Sequence, residues 1–183
     1  MITDEQLMNN IKDGNIGTLA VLFEQYHVRL YNYFLRLTAN VGTSEDLVQE
    51  VFLRILKYRA TYQSSHKFLI WMYRIARNVH IDHLKKHNNE IALNDENYEI
   101  KDSEVATDDK YVHAEDIEIV TKALHRLPLK KREVLMLSRF QNMKCQEIAD
   151  LYGCTVSSVK VLLHRSIKEL KNKFLELKGG INS

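Results

Sequence analysis

The sequence predicts an all-α protein: two small helical domains joined by an acidic linker, the second domain carrying a helix-turn-helix. Three observations carry that prediction. Only one proline and six glycines occur in 183 residues, and period-two alternation of β-branched residues is nearly absent. Apolar residues instead recur at helical spacing in a chain rich in Leu, Lys and Glu, which favours helix. The charge is also segregated. Residues 1–87 carry 11 Lys and Arg against 8 Asp and Glu, residues 88–116 carry 2 against 10, and residues 117–183 carry 13 against 6. The formal net charge of +2 therefore averages two basic blocks and an acidic strap.

The elements follow in order. Thr3 or Asp4 caps a short first helix, and Asn15-Ile16-Gly17 precedes the next. Leu19, Leu22, Phe23, Tyr26 and Leu30 form its apolar stripe, continued by Tyr33, Phe34 and Leu37 and broken at Asn40-Val41-Gly42. Ser44 is the expected N-cap of a third helix, with Glu45 and Asp46 where the helix dipole favours anions. Leu47, Val48, Val51, Phe52 and Ile55 give it a buried face, which leaves Asp46, Gln49 and Glu50 on a polar one. Arg59–Lys67 loses periodicity and reads as a loop.

The run Trp71–Asp82, W-M-Y-R-I-A-R-N-V-H-I-D, is one helix with two characters. Phe68, Met72, Ile75 and Val79 are spaced as a buried stripe. Arg74, Arg77, Asn78 and Lys85 fall on another face with Trp71 at its edge. Guanidiniums, an amide and an indole in one stripe suit phosphates, base edges and unstacked bases, so the helix points to nucleic acid.

Residues 88–116 hold few apolar groups and one-sided charge. Such a segment buries too little surface to offset the entropy of ordering and reads as a flexible linker. Beyond it, a helix ends near Leu124, Leu127 and Pro128, and another carries Val134, Leu135 and Leu137 up to Gln141-Asn142. Cys145–Arg165 then fits a helix-turn-helix. Ala149 is small where two helices cross, and Gly153 tolerates the positive φ of the turn. Ile148, Tyr152, Val159 and Leu163 supply the apolar set, and Thr155 caps the second helix. That helix projects Ser157, Ser158, Lys160, Val161, His164 and Arg165 towards a major groove, with Arg132, Arg139 and Lys144 placed for phosphates. An ordinary helical hairpin is the plainer alternative.

With these motifs in hand, the chain resembles a bacterial RNA polymerase sigma factor of the extracytoplasmic-function (ECF) group. S-E-D-L-V-Q-E-V-F (Ser44–Phe52) and the Trp71–Asp82 run resemble region 2. L-H-R-L-P-L-K-K-R-E-V-L (Leu124–Leu135) and the helix-turn-helix resemble region 4. The resemblance covers roughly residues 20–87 and 117–177 and implies domains at 1–87 and 117–183. It implies a transcription initiation factor that binds core RNA polymerase at the β′ clamp and β flap, reads promoter DNA and helps to melt it. Asp46, Gln49 and Glu50 fall where the family meets the β′ coiled coil. The Tyr62–Lys67 loop, Arg74, Arg77 and Asn78 fall where it reads the −10 element, with Trp71 and Lys85 on the same stripe. Ser157, Ser158, Lys160, Val161, His164 and Arg165 fall where it reads the −35 element as duplex. Many members have Ser-Arg after the recognition-helix lysine, where this chain has Val161-Leu162, so promoter specificity does not transfer. An anti-sigma factor is a further implied partner. The acidic linker would thread the channel used by nascent RNA; a solvated tether kept extended by self-repulsion is the alternative.

Other classes fit less well. Cys145 and Cys154 lie at no metal-like spacing and read as small core residues in a reducing compartment. His80, His83 and His87 beside Lys85 and Lys86 read as a basic surface rather than a metal site, and no cofactor is expected. Trp71 is open between core packing and the edge of a melted bubble. No nucleophile with a base, glycine-rich loop or pocket signature suggests an enzyme. The amino terminus, M-I-T-D-E-Q, lacks the basic and apolar regions of a leader, and no run approaches 18 uncharged apolar residues, so no membrane insertion and a cytoplasmic location are expected. Two other functions are conceivable: a stand-alone helix-turn-helix regulator on palindromic DNA, or an adaptor that binds polymerase without opening DNA. The regulator leaves Ser44–Phe52 and Trp71–Asp82 without a role.

Overall fold

A computed structural model describes the backbone of residues 2–93 and 114–181, and the side chains of 2–87 and 118–179. Among these residues all regular structure is helical. The chain divides into two compact units, residues 1–103 and 104–183. Most of the expected linker lies outside the described residues. Its edges differ from expectation: the fourth helix runs on to Leu93 and the fifth begins at Ala114.

In the first unit, α1 (Asp4–Lys12) starts at a capping box. The Gln6 amide donates to Thr3 Oγ1 (3.3 Å) while the Thr3 amide donates to Gln6 Oε1 (2.9 Å). A single 3-10 turn, Ile16–Thr18, leads into α2 (Leu19–Thr38). Ala39 ends α2 in the left-handed region at φ 53°, and α3 (Val41–Tyr58) follows at once. Asn40, not Ser44, is its N-cap: Asn40 is extended and its Oδ1 accepts the Thr43 amide at 2.8 Å. The cap falls four residues early because the turn at Ala39 presents Asn40 to the first free amides. Ser44 is instead buried within the helix, where its hydroxyl donates to the Asn40 carbonyl.

Helix α4 (Phe68–Leu93) packs against α3 and α1, and α2 packs against α1 and α3. Leu22, Leu30 and Phe34 of α2, Val51 and Ile55 of α3, and Phe68, Met72 and Ala76 of α4 are completely or almost completely buried. Each large member contributes about 1.5–3 kcal/mol by leaving water. The expected stripes hold except at Leu19, which is only half-buried, and at Phe23, which is 37% exposed and lies at the rim, stacked on His27 and tilted against Phe52. His80 is a second departure: it is 1% exposed, beside Phe34, rather than part of a basic surface. Tyr73, Ala76 and His80 form a second buried stripe at i, i+3, i+7, so α4 is enclosed over a broader arc than one stripe requires.

The second unit contains α5 (Ala114–His125), α6 (Leu129–Leu135), α7 (Cys145–Tyr152) and α8 (Val156–Ile181), with α8 packed on the other three. Pro128 stands at the N-cap of α6. That helix widens into one π turn, Met136–Phe140, closed by the Gln141 amide on the Met136 carbonyl at 3.0 Å. Asn142, at φ 53°, then turns the chain towards α7. Ala149 and Val159 are buried at the crossing of α7 and α8, and Gly153 turns between them at φ 64°. Cys145 is half-buried, but Cys154 is exposed and not a core residue, because it follows the left-handed Gly153 on the outer side of the turn.

A Cβ on Gly153 would touch nothing within 4 Å, so a substitution there bears only the cost of its backbone angle. Gly153→Ala is expected to destabilise the second unit by about 1–2 kcal/mol, and Asn40→Ala the first by about 1 kcal/mol. Urea denaturation followed by circular dichroism checks both.

Candidate nucleic-acid and polymerase interfaces

The loop before α4 is held from beneath. Lys67 occupies the N-cap position, and its side chain has only donors to offer free amides. The missing acceptor comes from α1: the Phe68 amide donates to Glu5 Oε1 at 3.2 Å. Lys12, at the other end of α1, donates through Nζ to the Tyr62 carbonyl at 3.0 Å. Tyr62 itself is fully buried. Its hydroxyl donates to the His66 carbonyl (2.9 Å), and its ring meets Trp71 edge-on with centroids 5.2 Å apart. Burial pushes the Tyr62 hydroxyl up to about 12, with Glu5 and Asp4 adding to the shift. Tyr62 is therefore a buried support rather than a surface on which a base stacks. The cause is its neighbourhood: Phe68 and Trp71 leave an apolar recess that the ring fills.

The remaining expected groups stay accessible. Lys67, Arg74, Asn78 and Lys85 are exposed and Arg77 is half-buried, all but Lys67 on α4. Trp71 is also half-buried, packed on Tyr62 and Phe68 with part of its indole open. Gln63, Ser64, Ser65 and His66 are the other exposed side chains of the loop.

On α3, Asp46 and Gln49 are exposed and Glu50 is half-buried. Arg54 joins this helix to α4: its Nε donates to Glu50 Oε1 and its Nη1 to Asp82 Oδ2, each at 2.7 Å. The i, i+4 spacing of Glu50 and Arg54 was visible in the sequence, but the bridge to Asp82 needs the packing of α3 on α4. Partly exposed pairs of this kind add little stability, and their effect here is to fix which way Glu50 faces.

In the second unit Ser157, Ser158, Lys160, Val161, His164 and Arg165 are all exposed on α8. Thr155 is the cap, accepting the Ser158 amide at 3.2 Å, and its hydroxyl lies 2.9 and 2.8 Å from those of Ser157 and Ser158. Arg139 and Lys144 are exposed as well. Arg132 is different. Its Nη2 donates to the carbonyls of His125 (2.6 Å) and Leu127 (3.3 Å), and Nη1 lies 3.0 Å from His125 Nδ1. The guanidinium thus closes the carbonyl end of α5 instead of facing phosphate, because the Leu127-Pro128 turn brings those carbonyls to it. Burial and the adjacent Arg132 hold His125 down to about 4, so its ring is neutral at neutral pH. Among the described residues no group of His, Cys, Asp and Glu could hold a metal ion, and no helix is long and apolar enough to cross a membrane.

Two exposed cationic helix faces on separate helical units define a class of DNA-handling protein with two readers in one chain. Comparison with known proteins narrows this class. The family model of sigma-70 region 2 matches residues 22–90, and that of sigma-70 region 4 matches residues 117–170. The ECF RNA polymerase sigma factor SigW of Bacillus subtilis is 26% identical over 93% of this chain and 96% of its own length. SigX of the same organism, also an ECF RNA polymerase sigma factor, is 28% identical over 87% and 84%. The chain belongs to the sigma-70 family of RNA polymerase sigma factors, in the ECF group. Two solved structures share the fold. One is the sigma factor RpoE in complex with the anti-sigma factor NepR from Bartonella quintana, with TM-score 0.71, 19% identity and coverage of 84% of this chain and 94% of that one. The other is CnrH in complex with the cytosolic domain of CnrY, with TM-score 0.70, 20% identity and coverage of 92% and 95%.

Arg132→Ala is expected to destabilise the second unit by about 1–3 kcal/mol, since it removes the guanidinium that the partly buried His125 and Leu127 carbonyls accept from. Arg165→Ala, on the exposed face, is expected to stay within about 0.5 kcal/mol of the wild type; denaturant titration separates the two. His125 also sets a pH dependence. Its folded value of about 4 lies below the ordinary 6.5, so the unfolded chain binds more protons between these limits. Stability should be intact above about pH 6.5 and fall as pH drops towards 4, more steeply than in His125→Gln, as thermal melts across that range would show.

Proposed function

We propose that this chain is a promoter-specificity subunit that binds core RNA polymerase, directs it to promoters and helps to open the DNA. Asp46, Gln49 and Glu50 face the β′ clamp, while the second unit meets the β flap and presents Ser157, Ser158, Lys160, Val161, His164 and Arg165 to duplex at the −35 element. Val161 offers a methyl contact to thymine in place of a polar one. Arg74, Arg77, Asn78 and Lys85 engage the −10 region as it melts, with the loop residues Gln63–Lys67 above them and Trp71 at the edge. The domains that do this work are the region 2-like unit and the region 4-like unit, joined by an acidic tether between α4 and α5. The chain performs no chemistry of its own and works in the cytoplasm beside the polymerase.

One observation carries the reading. The exposed cations of α4 and of α8 stand on two separate units, in the order of region 2 and region 4. A stand-alone regulator has no use for the first set, since α8 alone suffices to read duplex. RpoE and CnrH are each held in complex with a partner, NepR and the cytosolic domain of CnrY. By likeness, an anti-sigma factor controls this chain too.

In vitro transcription with purified core polymerase on genomic promoter fragments tests the proposal. Promoter-dependent transcripts should appear only when the protein is added, and their complete absence would refute it. Arg77→Ala and Asn78→Ala should each reduce open-complex formation roughly tenfold, the scale of one charge-assisted contact, with core affinity unchanged. Glu50→Lys should do the reverse, weakening core association while leaving promoter choice intact when core is in excess. Equal loss of both properties in either variant would show that the faces are wrongly assigned.

A further inference from the structure

Helix α1 lies ahead of the residues that match region 2, and nothing in the function above uses it. It nevertheless touches both ends of the loop that precedes α4. Glu5 Oε1 accepts the Phe68 amide at the loop's end, and Lys12 Nζ donates to the Tyr62 carbonyl at its start. Glu5 and Lys12 are seven positions apart, a span of about 10 Å along a helix. The two ends of the loop are thus pinned to two points on one rigid rod.

The rod is itself fixed. Leu7, Met8 and Ile11 are buried, and the capping box at Thr3 closes the first turn. Asp4 ties α1 to α2, accepting from the Tyr26 hydroxyl and from Gln25 Nε2 (3.0 Å). Within the loop, the Tyr62 hydroxyl draws the His66 carbonyl inward, while the side chains from Gln63 to Lys67 stay outside. The distance between the pins and this inward tether leave the exposed side chains few arrangements.

We propose that α1 is a positioning element for promoter reading: Glu5 and Lys12 hold the 62–67 loop in the shape that discriminates among unstacked −10 bases. Neither residue touches DNA in this account. Both act through backbone groups of the loop, and the proposal rests on the −10 role assigned to that loop above. The first-turn carboxylate supplies the acceptor that Lys67 cannot, and the last-turn ammonium holds the carbonyl where the loop departs.

The test uses holoenzyme reconstituted from core polymerase and full-length protein. Single-stranded oligonucleotides carry the −10 sequence of a promoter that the holoenzyme transcribes, with each base replaced in turn. Glu5→Ala and Lys12→Ala should each lower the discrimination between cognate and substituted oligonucleotides about threefold, and the double variant about tenfold. Glu5→Gln keeps the acceptor oxygen and Lys12→Arg keeps a donor, so both should restore discrimination. Core affinity and binding of −35 duplex should stay at wild-type levels. Unchanged discrimination in the double variant, with a discriminating wild type, overturns the role of α1 and leaves the −10 reading standing. Loss of discrimination only in parallel with core affinity and melting temperature, without rescue by Gln or Arg, also overturns it, since α1 would then be needed merely for folding. A wild-type holoenzyme that does not discriminate at all overturns both the positioning role and the −10 reading.

Discussion

The burial of α4 on more than one face is the constraint from which the rest of the first unit follows. Phe68, Met72 and Val79 define one buried stripe, and Tyr73, Ala76 and His80 define another. A helix enclosed this widely has little surface left, and what remains carries Arg74, Asn78 and Lys85. Arg74, Arg77 and Asn78 therefore stand on a stretch of helix packed into the core, whereas Lys85 lies beyond its last buried described residue, His80. The loop before α4 is braced from another helix, since the Phe68 amide in the first turn of α4 finds its acceptor in Glu5 of α1.

Much of this was legible in sequence because the signals are periodic and local. The i, i+4, i+7, i+11 stripe of α4, the exposed face of α8, the Gly153 turn and the Thr155 cap all follow from spacing and residue type. The failures share a cause: each depends on a partner far along the chain or on a competing neighbour. Ser44 met the local rule for an N-cap, but Asn40 reached the free amides first. Tyr62 lies in a segment without periodicity, and only the nearness of Phe68 and Trp71 shows that it is buried. Arg132 sits among basic residues, and only the folded turn reveals that backbone carbonyls occupy its guanidinium. Glu5 and Lys12 carried no signal at all, because their partners lie 63 and 50 residues away.

These corrections sharpen the division of labour. With Tyr62 taken into the interior, the exposed chemistry of the 62–67 loop rests on Gln63, Ser64, Ser65, His66 and Lys67, none of them a large aromatic surface. On the proposed role, hydrogen bonding and charge are the loop's means of selecting a base, with half-buried Trp71 packed on Tyr62 beside it. In the second unit the Arg132 guanidinium is taken up by backbone carbonyls, while Arg139 and Lys144 before α8 and Lys160, His164 and Arg165 upon it stay exposed.

On the proposed function, the protein opens promoter DNA only as part of a polymerase holoenzyme. Permanganate footprinting of thymines on a transcribed promoter, with core, with this protein, and with both together, tests it most directly. Reactive thymines clustered at the −10 region only when both are present is the predicted result. Protection of duplex by the protein alone, with no reactive thymines even when core is added, would contradict it.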